Sequence, residues 1–220
     1  MHILYKILIA LFVFAITCHN NKTAVSDNDV HQLWIDCKLE KVLRFELFNS
    51  ALAGQKKIDN LKKRNIVTII DYSKPSTEKR FFVIDLEKKQ LLYMCLVAHG
   101  KNSGDYSATS FSNQLESLKS SLGFFLASET FKGDHGYSLR LDGLEKDIND
   151  NARARGIVIH GADYVSEEFV RKYGRVGLSW GCPALPLDIS KEIIDKISGG
   201  SCVFIYSDDP YYKENSVFLR

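Results

Sequence analysis

Two patterns of hydrophobic and polar residues divide the chain near residue 65. Between residues 29 and 53, apolar positions recur at helical spacing, and Gly54 follows as a helix-terminating residue. This pattern predicts one or two amphipathic helices that pack on the rest of the protein. Beyond residue 65, short runs of β-branched and aromatic residues alternate with polar turn sequences, which is typical of strands.

Seven of these runs are predicted as strands, at residues 66–72, 80–86, 91–98, 124–127, 137–141, 156–160 and 202–206. Short turns between consecutive strands favour antiparallel pairing. Two short helices are predicted at residues 166–173 and 188–198, and Gly199-Gly200 ends the second. Because strands outnumber helices, the predicted fold class is mainly β (α+β), with a few short helices and an N-terminal helical lead-in.

The first residues carry a separate pattern. Lys6 precedes an unbroken apolar run at residues 7–16, which is too short to span a membrane and typical of a signal peptide. Cys18 follows this run and resembles the acylated cysteine of the bacterial lipoprotein signal. We therefore expect residues 1–18 to be a signal peptide, residues 19–60 a tether and helical lead-in, and residues 61–220 the main domain. The mature protein would lie in an extracytoplasmic space, the periplasm or cell envelope, with a lipid at Cys18 as its membrane attachment.

Composition narrows the function classes. The 220 residues carry 29 basic and 27 acidic side chains, a net charge of +2, so no electrostatic footprint for nucleic acid is present. Five cysteines are too few for a disulfide-scaffold miniprotein. Cys37, Cys95 and Cys202 lie in apolar stretches, which predicts core packing or a disulfide whose pairing the sequence leaves open.

The residues with reactive chemistry concentrate between residues 157 and 185. His160 follows a short apolar strand, which would hold its imidazole firmly at the strand end. Cys182 lies in a glycine-rich segment whose backbone can turn amide groups toward one point. A thiol needs a base to become a competent nucleophile, and aimed amides stabilise the oxyanion that follows. Cys182 and His160 are therefore predicted as a nucleophile and its base.

These residues resemble a known family. His160-Gly161 and Ser179-Trp180-Gly181-Cys182 are similar to the signature of L,D-transpeptidase catalytic domains. Further blocks resemble the branch called murein L,D-transpeptidase catalytic domain proteins, at residues 98–104, 111–113, 120–124, 135–145 and 149–152. The resemblance implies a β-sandwich-like catalytic domain at residues 61–220, peptidoglycan stem peptides as substrate, and no metal or organic cofactor.

The resemblance also implies a reaction. Cys182 would attack the bond between the diamino residue and the terminal D-alanine, and an amine would resolve the resulting thioester. The carbonyl of Gly161 would orient His160, and the amides of Gly181 and Cys182 would bind the oxyanion. Two departures weaken the transfer of substrate contacts: Trp180 stands where the commoner pattern has His, and Ala184 where it has Arg.

The expected substrate contacts are Trp180, Ser179, Arg155, Arg175 and His99. The arginines are included because a guanidinium binds a substrate carboxylate through two hydrogen bonds. His135, beside a glycine like His99, is a further candidate to line the cleft. No tight cluster of histidine and aspartate supports a zinc site.

Two alternatives use the same fold. Water could resolve the thioester, which makes the protein an L,D-carboxypeptidase or a hydrolase with the same Cys-His pair. The domain could also be a non-catalytic murein-binding module.

Overall fold

The computed structural model describes residues 27–220, so Cys18 and the predicted signal peptide lie outside the described residues. Two helices open this part, α1 (Asp27–Asp36) and α2 (Phe45–Lys56). Helix α2 continues through Gly54, where it was predicted to end. A Cβ at Gly54 would lie 2.1 Å from the ring of Phe124, so this glycine allows the helix to approach the sheet closely.

Residues 27–220 contain one eight-stranded sheet, ordered β3-β2-β1-β8-β4-β5-β6-β7. Its strands are β1 (Lys63–Asp71), β2 (Phe81–Asp85), β3 (Gln90–Cys95), β4 (Gly123–Gly133), β5 (Gly136–Gly143), β6 (Val158–Ala162), β7 (Ala184–Pro186) and β8 (Ser201–Tyr206). Neighbours are antiparallel except for β1 with β8 and β6 with β7, which are parallel. The prediction of a mainly β fold with few short helices is confirmed.

Three further helices are α3 (Glu167–Tyr173), α4 (Leu187–Ile197) and α5 (Pro210–Asn215). Side chains cap two of them: Ser166 accepts from the amide of Phe169 at the start of α3, and Asp209 from Tyr212 at the start of α5. Strand β7 and helix α5 were not predicted, because elements of 3 and 6 residues show no clear periodicity. Within residues 27–220, none of the helices has the length and apolar character needed to cross a bilayer.

The two ends of the sheet approach each other. Ala98, just beyond β3, forms an antiparallel bridge with Ala184 in β7, and Gly100 forms a parallel bridge with Ser179. The sheet therefore curls into a near-barrel, and segments 98–100 and 179–184 lie side by side. This closure positions the segment that carries Cys182.

Three of the cysteines are part of the hydrophobic core. Cys37, Cys95 and Cys202 are buried free thiols, so they pack in the core and form no disulfide within the described residues. Around them pack aromatic side chains, such as Phe124 stacked on Phe204 with ring centroids 4.2 Å apart.

Candidate functional site

The fold places His160 on β6 and Cys182 just before the neighbouring strand β7. His160 in β6 is the register partner of Ala184 in β7, and Cys182 lies two residues before Ala184. The Cys182 Sγ accepts from the amide of Val158 at 3.5 Å and donates to the carbonyl of Gly156 at 3.6 Å. No hydrogen bond joins this sulfur to an imidazole among the described residues.

Of the two ring nitrogens of His160, one makes a hydrogen bond and the other makes none among the described residues. Its Nδ1 lies 3.0 Å from the carbonyl oxygen of Gly161. Because a carbonyl only accepts, Nδ1 carries the proton and Nε2 carries the lone pair. Burial lowers the pKa of His160 below its ordinary value, and the Gly161 carbonyl opposes that shift. The neutral imidazole is therefore the form favoured near neutral pH, with Nε2 available as a base.

The thiol of Cys182 is protonated at rest. Burial raises its pKa above the ordinary value, while the Val158 amide and the charge of Arg155 act in the opposite direction. A thiolate therefore requires transfer of the proton to a base.

The turn before Cys182 is held by Ser179. Its hydroxyl donates to the carbonyl of Cys182 at 2.6 Å and accepts from the amide of Gly181 at 3.1 Å. The side chain is buried and holds the turn, so the expected substrate contact of Ser179 stays a prediction. The amide of Gly181 is likewise already engaged. Among the described residues the amide of Cys182 makes no hydrogen bond, which leaves it open to an oxyanion.

The backbone at Gly181 adopts a conformation that requires glycine. Its φ is +126°, and a Cβ there would lie 2.8 Å from the carbonyl oxygen of Lys119. No other residue fits this conformation and this close approach without strain.

The guanidinium of Arg155 is bound within the protein. Nη1 donates to the carbonyl of Ser112 at 2.5 Å and to the hydroxyl of Ser121. Nη2 donates to Ser117 Oγ at 3.0 Å and to the carbonyl of Lys119 at 2.6 Å. Arg155 therefore ties down the loop that packs on Gly181, and its expected contact with substrate stays a prediction.

His99, another expected substrate contact, has both ring nitrogens hydrogen-bonded within the protein, so this contact also stays a prediction. Its ring is fully buried, with Nδ1 2.8 Å from Arg80 Nη2 and Nε2 3.1 Å from the carbonyl of Gly104. Arginine only donates, so Nδ1 accepts and Nε2 carries the proton. Burial lowers the pKa of His99 to about 4, and the charge of Arg80 acts in the same direction.

The remaining predicted contacts lie at the surface. Trp180 is 71% exposed, and the Lys101 ammonium lies 5.7 Å from its ring centroid. Arg175 pairs with Asp105 at 2.7 Å and donates to the carbonyl of Val176. Trp180 thus presents its ring to solvent close in sequence to Cys182. Arg175, by contrast, already has an ion-pair partner and a hydrogen-bond acceptor.

Sequence reasoning missed the polar support beneath the turn. Tyr72 donates to the carbonyl of Ala98 at 3.0 Å. Ser120 Oγ accepts from the amide of Gly100 at 3.0 Å and donates to the carbonyl of Gly181 at 3.3 Å. These residues come from distant segments, so no local pattern could have identified them. Residues 27–220 hold no group of three or more His, Cys, Asp or Glu side chains suited to a metal ion.

Comparison with models of known protein families gives a match over most of the chain. The family model described as the L,D-transpeptidase catalytic domain matches residues 39–206. No curated protein matches the chain.

Three solved structures are similar at low identity. An L,D-transpeptidase of Mycobacterium smegmatis is 15% identical, with 65% of this chain and 59% of that chain covered and a TM-score of 0.41. L,D-transpeptidase 3 of Mycobacterium tuberculosis is 10% identical, with 65% and 61% covered and a TM-score of 0.41. A helical cell-shape-determining protein of Campylobacter jejuni is 13% identical, with 73% and 57% covered and a TM-score of 0.44. The chain thus spans less than two thirds of the length of each.

Proposed function

Because the chain belongs to the L,D-transpeptidase catalytic domain family, we propose that it is an exported cysteine transpeptidase acting on peptidoglycan stem peptides. One observation carries the assignment of roles. His160 binds the Gly161 carbonyl through Nδ1 and keeps Nε2 unprotonated, on the strand beside the segment that carries Cys182.

The first half-reaction forms a thioester. The Sγ of Cys182 turns from the Gly156 carbonyl toward Nε2 of His160 and transfers its proton. Hydrogen bonds of this kind are often long before substrate binds, so the resting geometry is compatible with this step. The thiolate attacks the carbonyl between the diamino residue and D-alanine. The C–N bond then breaks, His160 protonates the departing amine, and D-alanine leaves.

Two groups support the negative charges of this step. The unengaged amide of Cys182 is the donor proposed for the oxyanion, and the Gly181 amide would add to it only by leaving Ser179. The charge of Arg155 favours the thiolate, so we assign Arg155 to support of the sulfur.

The second half-reaction regenerates the thiol. An amine acceptor loses a proton to His160 and attacks the thioester carbonyl, an amide forms, and the sulfur recovers its proton. Trp180, two residues before Cys182, and Arg175 are the proposed substrate contacts. Resolution by water would instead give a carboxypeptidase or hydrolase.

The proposed site of action is extracytoplasmic, since peptidoglycan lies outside the cytoplasm. Attachment through a lipid on Cys18 is part of the proposal. Mass spectrometry of the mature protein tests it, because a mature chain that lacks an acylated Cys18 at its N-terminus contradicts the lipid.

The decisive experiment incubates the protein with purified sacculi and analyses the muropeptides. Wild type should release D-alanine and form new amide-linked products, whereas Cys182→Ala should release none. Cys37→Ala is the matched control, because Cys37 is a buried thiol that follows α1 and lies outside the elements that carry Cys182 and His160. Equal D-alanine release by wild type and Cys182→Ala would refute the proposed nucleophile. Products shortened by hydrolysis alone would assign water as the acceptor.

A further inference from the structure

The β4–β5 hairpin reaches past its neighbour β8 toward the candidate site. Strand β4 pairs with β8 only over residues 123–127, while its pairing with β5 continues to the hairpin tip. Asp134 and His135 form that two-residue tip. Strand β5 also pairs with β6, with Ser138 opposite His160. The tip therefore lies next to the strand that carries the proposed base.

The imidazole of His135 stacks on the imidazole of His160. The ring centroids are 4.4 Å apart, and the planes differ by 19°. His135 is exposed, whereas His160 is only 2% exposed. Stacking covers a ring face, but hydrogen bonds to imidazole nitrogens lie in the ring plane. The outer ring therefore shields the inner one and leaves its Nε2 available.

The hairpin is anchored to α4 through β5 and is braced by contacts between its own two strands. Tyr137 donates to the carboxylate of Asp195 in α4 at 2.6 Å. The guanidinium of Arg140 lies 4.3 Å from the Phe131 ring centroid and pairs with Glu129 at 3.2 Å. These contacts hold the tip in place, so the stacked ring has a defined position.

Building on the proposed function, we propose that His135 is a positioning residue that fixes the ring plane of His160 and excludes water from one of its faces. A fixed plane keeps Nε2 aimed at the sulfur and limits rotation of the ring. Water exclusion favours the neutral imidazole, which is the form that accepts the thiol proton. A proton on His135 lowers the pKa of His160 further.

Other ionisable groups surround His160 on the elements packed near it. On β5, Arg140 is paired with Glu129. The others are Asp134 at the hairpin tip, Asp163 and Tyr164 after β6, Cys182 before β7, and Asp188, Lys191, Glu192, Asp195 and Lys196 on α4. Among the described residues, His135 makes the ring contact with His160.

The first test measures D-alanine release by His135→Ala, by His135→Phe and by the control Asp134→Ala. We expect His135→Ala to lower kcat about tenfold with KM changed less than about twofold, because orientation is lost while binding remains. His135→Phe keeps a flat ring and should recover most of kcat. Asp134→Ala should match wild type.

The second readout is the pKa of His160, followed by NMR of the histidine ring protons across pH. It should rise from wild type to His135→Phe, which removes the neighbouring charge, and again to His135→Ala, which also admits water. An unchanged kcat together with an unchanged pKa would overturn the proposal. Equal losses in His135→Ala and Asp134→Ala would also overturn it, because the hairpin alone would then matter.

The two proposals can fail separately. If Cys182→Ala keeps full activity, the proposed function is wrong, yet the NMR titration still shows whether His135 controls His160. If activity depends on Cys182 and the His135 variants behave as wild type, only the positioning role is lost.

Discussion

Two buried histidines in this protein have similar local sequences and different chemical capacities. His99 and His160 each follow an apolar stretch and precede a glycine. Burial lowers the pKa of both. His99 uses both ring nitrogens internally, on Arg80 and Gly104, whereas His160 uses only Nδ1. In the proposed mechanism, the base His160 differs from His99 in having a ring nitrogen without a partner among residues 27–220, and not in its burial or in the direction of its pKa shift.

The largest expected effect is that of His160→Gln. It should lower kcat/KM for D-alanine release by about 10²–10⁴-fold, because the proton acceptor is removed. Its free energy of unfolding should change little, since the Gln amide can still donate to the Gly161 carbonyl. Release assays and urea titration measure the two quantities. If the free energy of unfolding fell in proportion to the activity, His160 would act as a structural histidine like His99, and the contrast between them would be lost.

The next effect is on stability and concerns His99. Its pKa is about 4 in the folded state against an ordinary 6.5, so the unfolded chain binds the proton more readily between these values. The stabilisation of the folded state by the neutral His99 ring is therefore fully present above pH 6.5, and it is lost as the pH falls toward 4. Between pH 7.5 and 5 the loss should be about 2 kcal/mol.

His99→Gln isolates this contribution. The Gln amide can accept from Arg80 and donate to Gly104 but does not titrate. Denaturant titration at pH 7.5 and pH 5 should show a smaller pH dependence in the variant by about that amount. The same pH dependence in wild type and variant would mean that His99 is not the titrating group.

The smallest effect concerns Arg155, which supports the sulfur and is not itself a base. Arg155→Met should raise the pKa of Cys182 relative to Arg155→Lys, which keeps the charge and loses the forked hydrogen bonds. Alkylation of Cys182 by iodoacetamide near neutral pH should then be slower in the Arg155→Met variant than in the Arg155→Lys variant. Mass spectrometry of the Cys182 peptide measures it. Equal rates would assign Arg155 to holding the loop only.

Part of the fold could be predicted from the local sequence. The strand runs and the helices α3 and α4 were predicted near their observed bounds, because side-chain alternation and capping depend on neighbours in the chain. The residues Cys182 and His160 were also predicted locally, from an apolar strand end and a glycine-rich turn. The short strand β7 was not, because three residues carry no periodicity.

Hydrogen-bond partners that are distant in sequence could not be predicted. Arg155 was expected to bind substrate because a guanidinium suits carboxylate recognition. In the structure the donors of Arg155 go to a loop 34 to 43 residues away in sequence. A side chain's residue type shows which hydrogen bonds it can make, but not which partners have already taken them.

The sequence by itself determined most of the elements and the family, and it led to the proposal of Cys182 and His160 as the reactive pair, because these signals lie in short-range patterns. Only the tertiary structure decided which side chains are left with an unoccupied donor or acceptor. Closing the sheet brought segments 98–100 and 179–184 together, and Ser120 bonds the Gly100 amide and the Gly181 carbonyl across them. The same fold leaves Nε2 of His160 and the amide of Cys182 without partners among residues 27–220. Hydrogen-bond capacity is local, but its satisfaction is set by long-range packing.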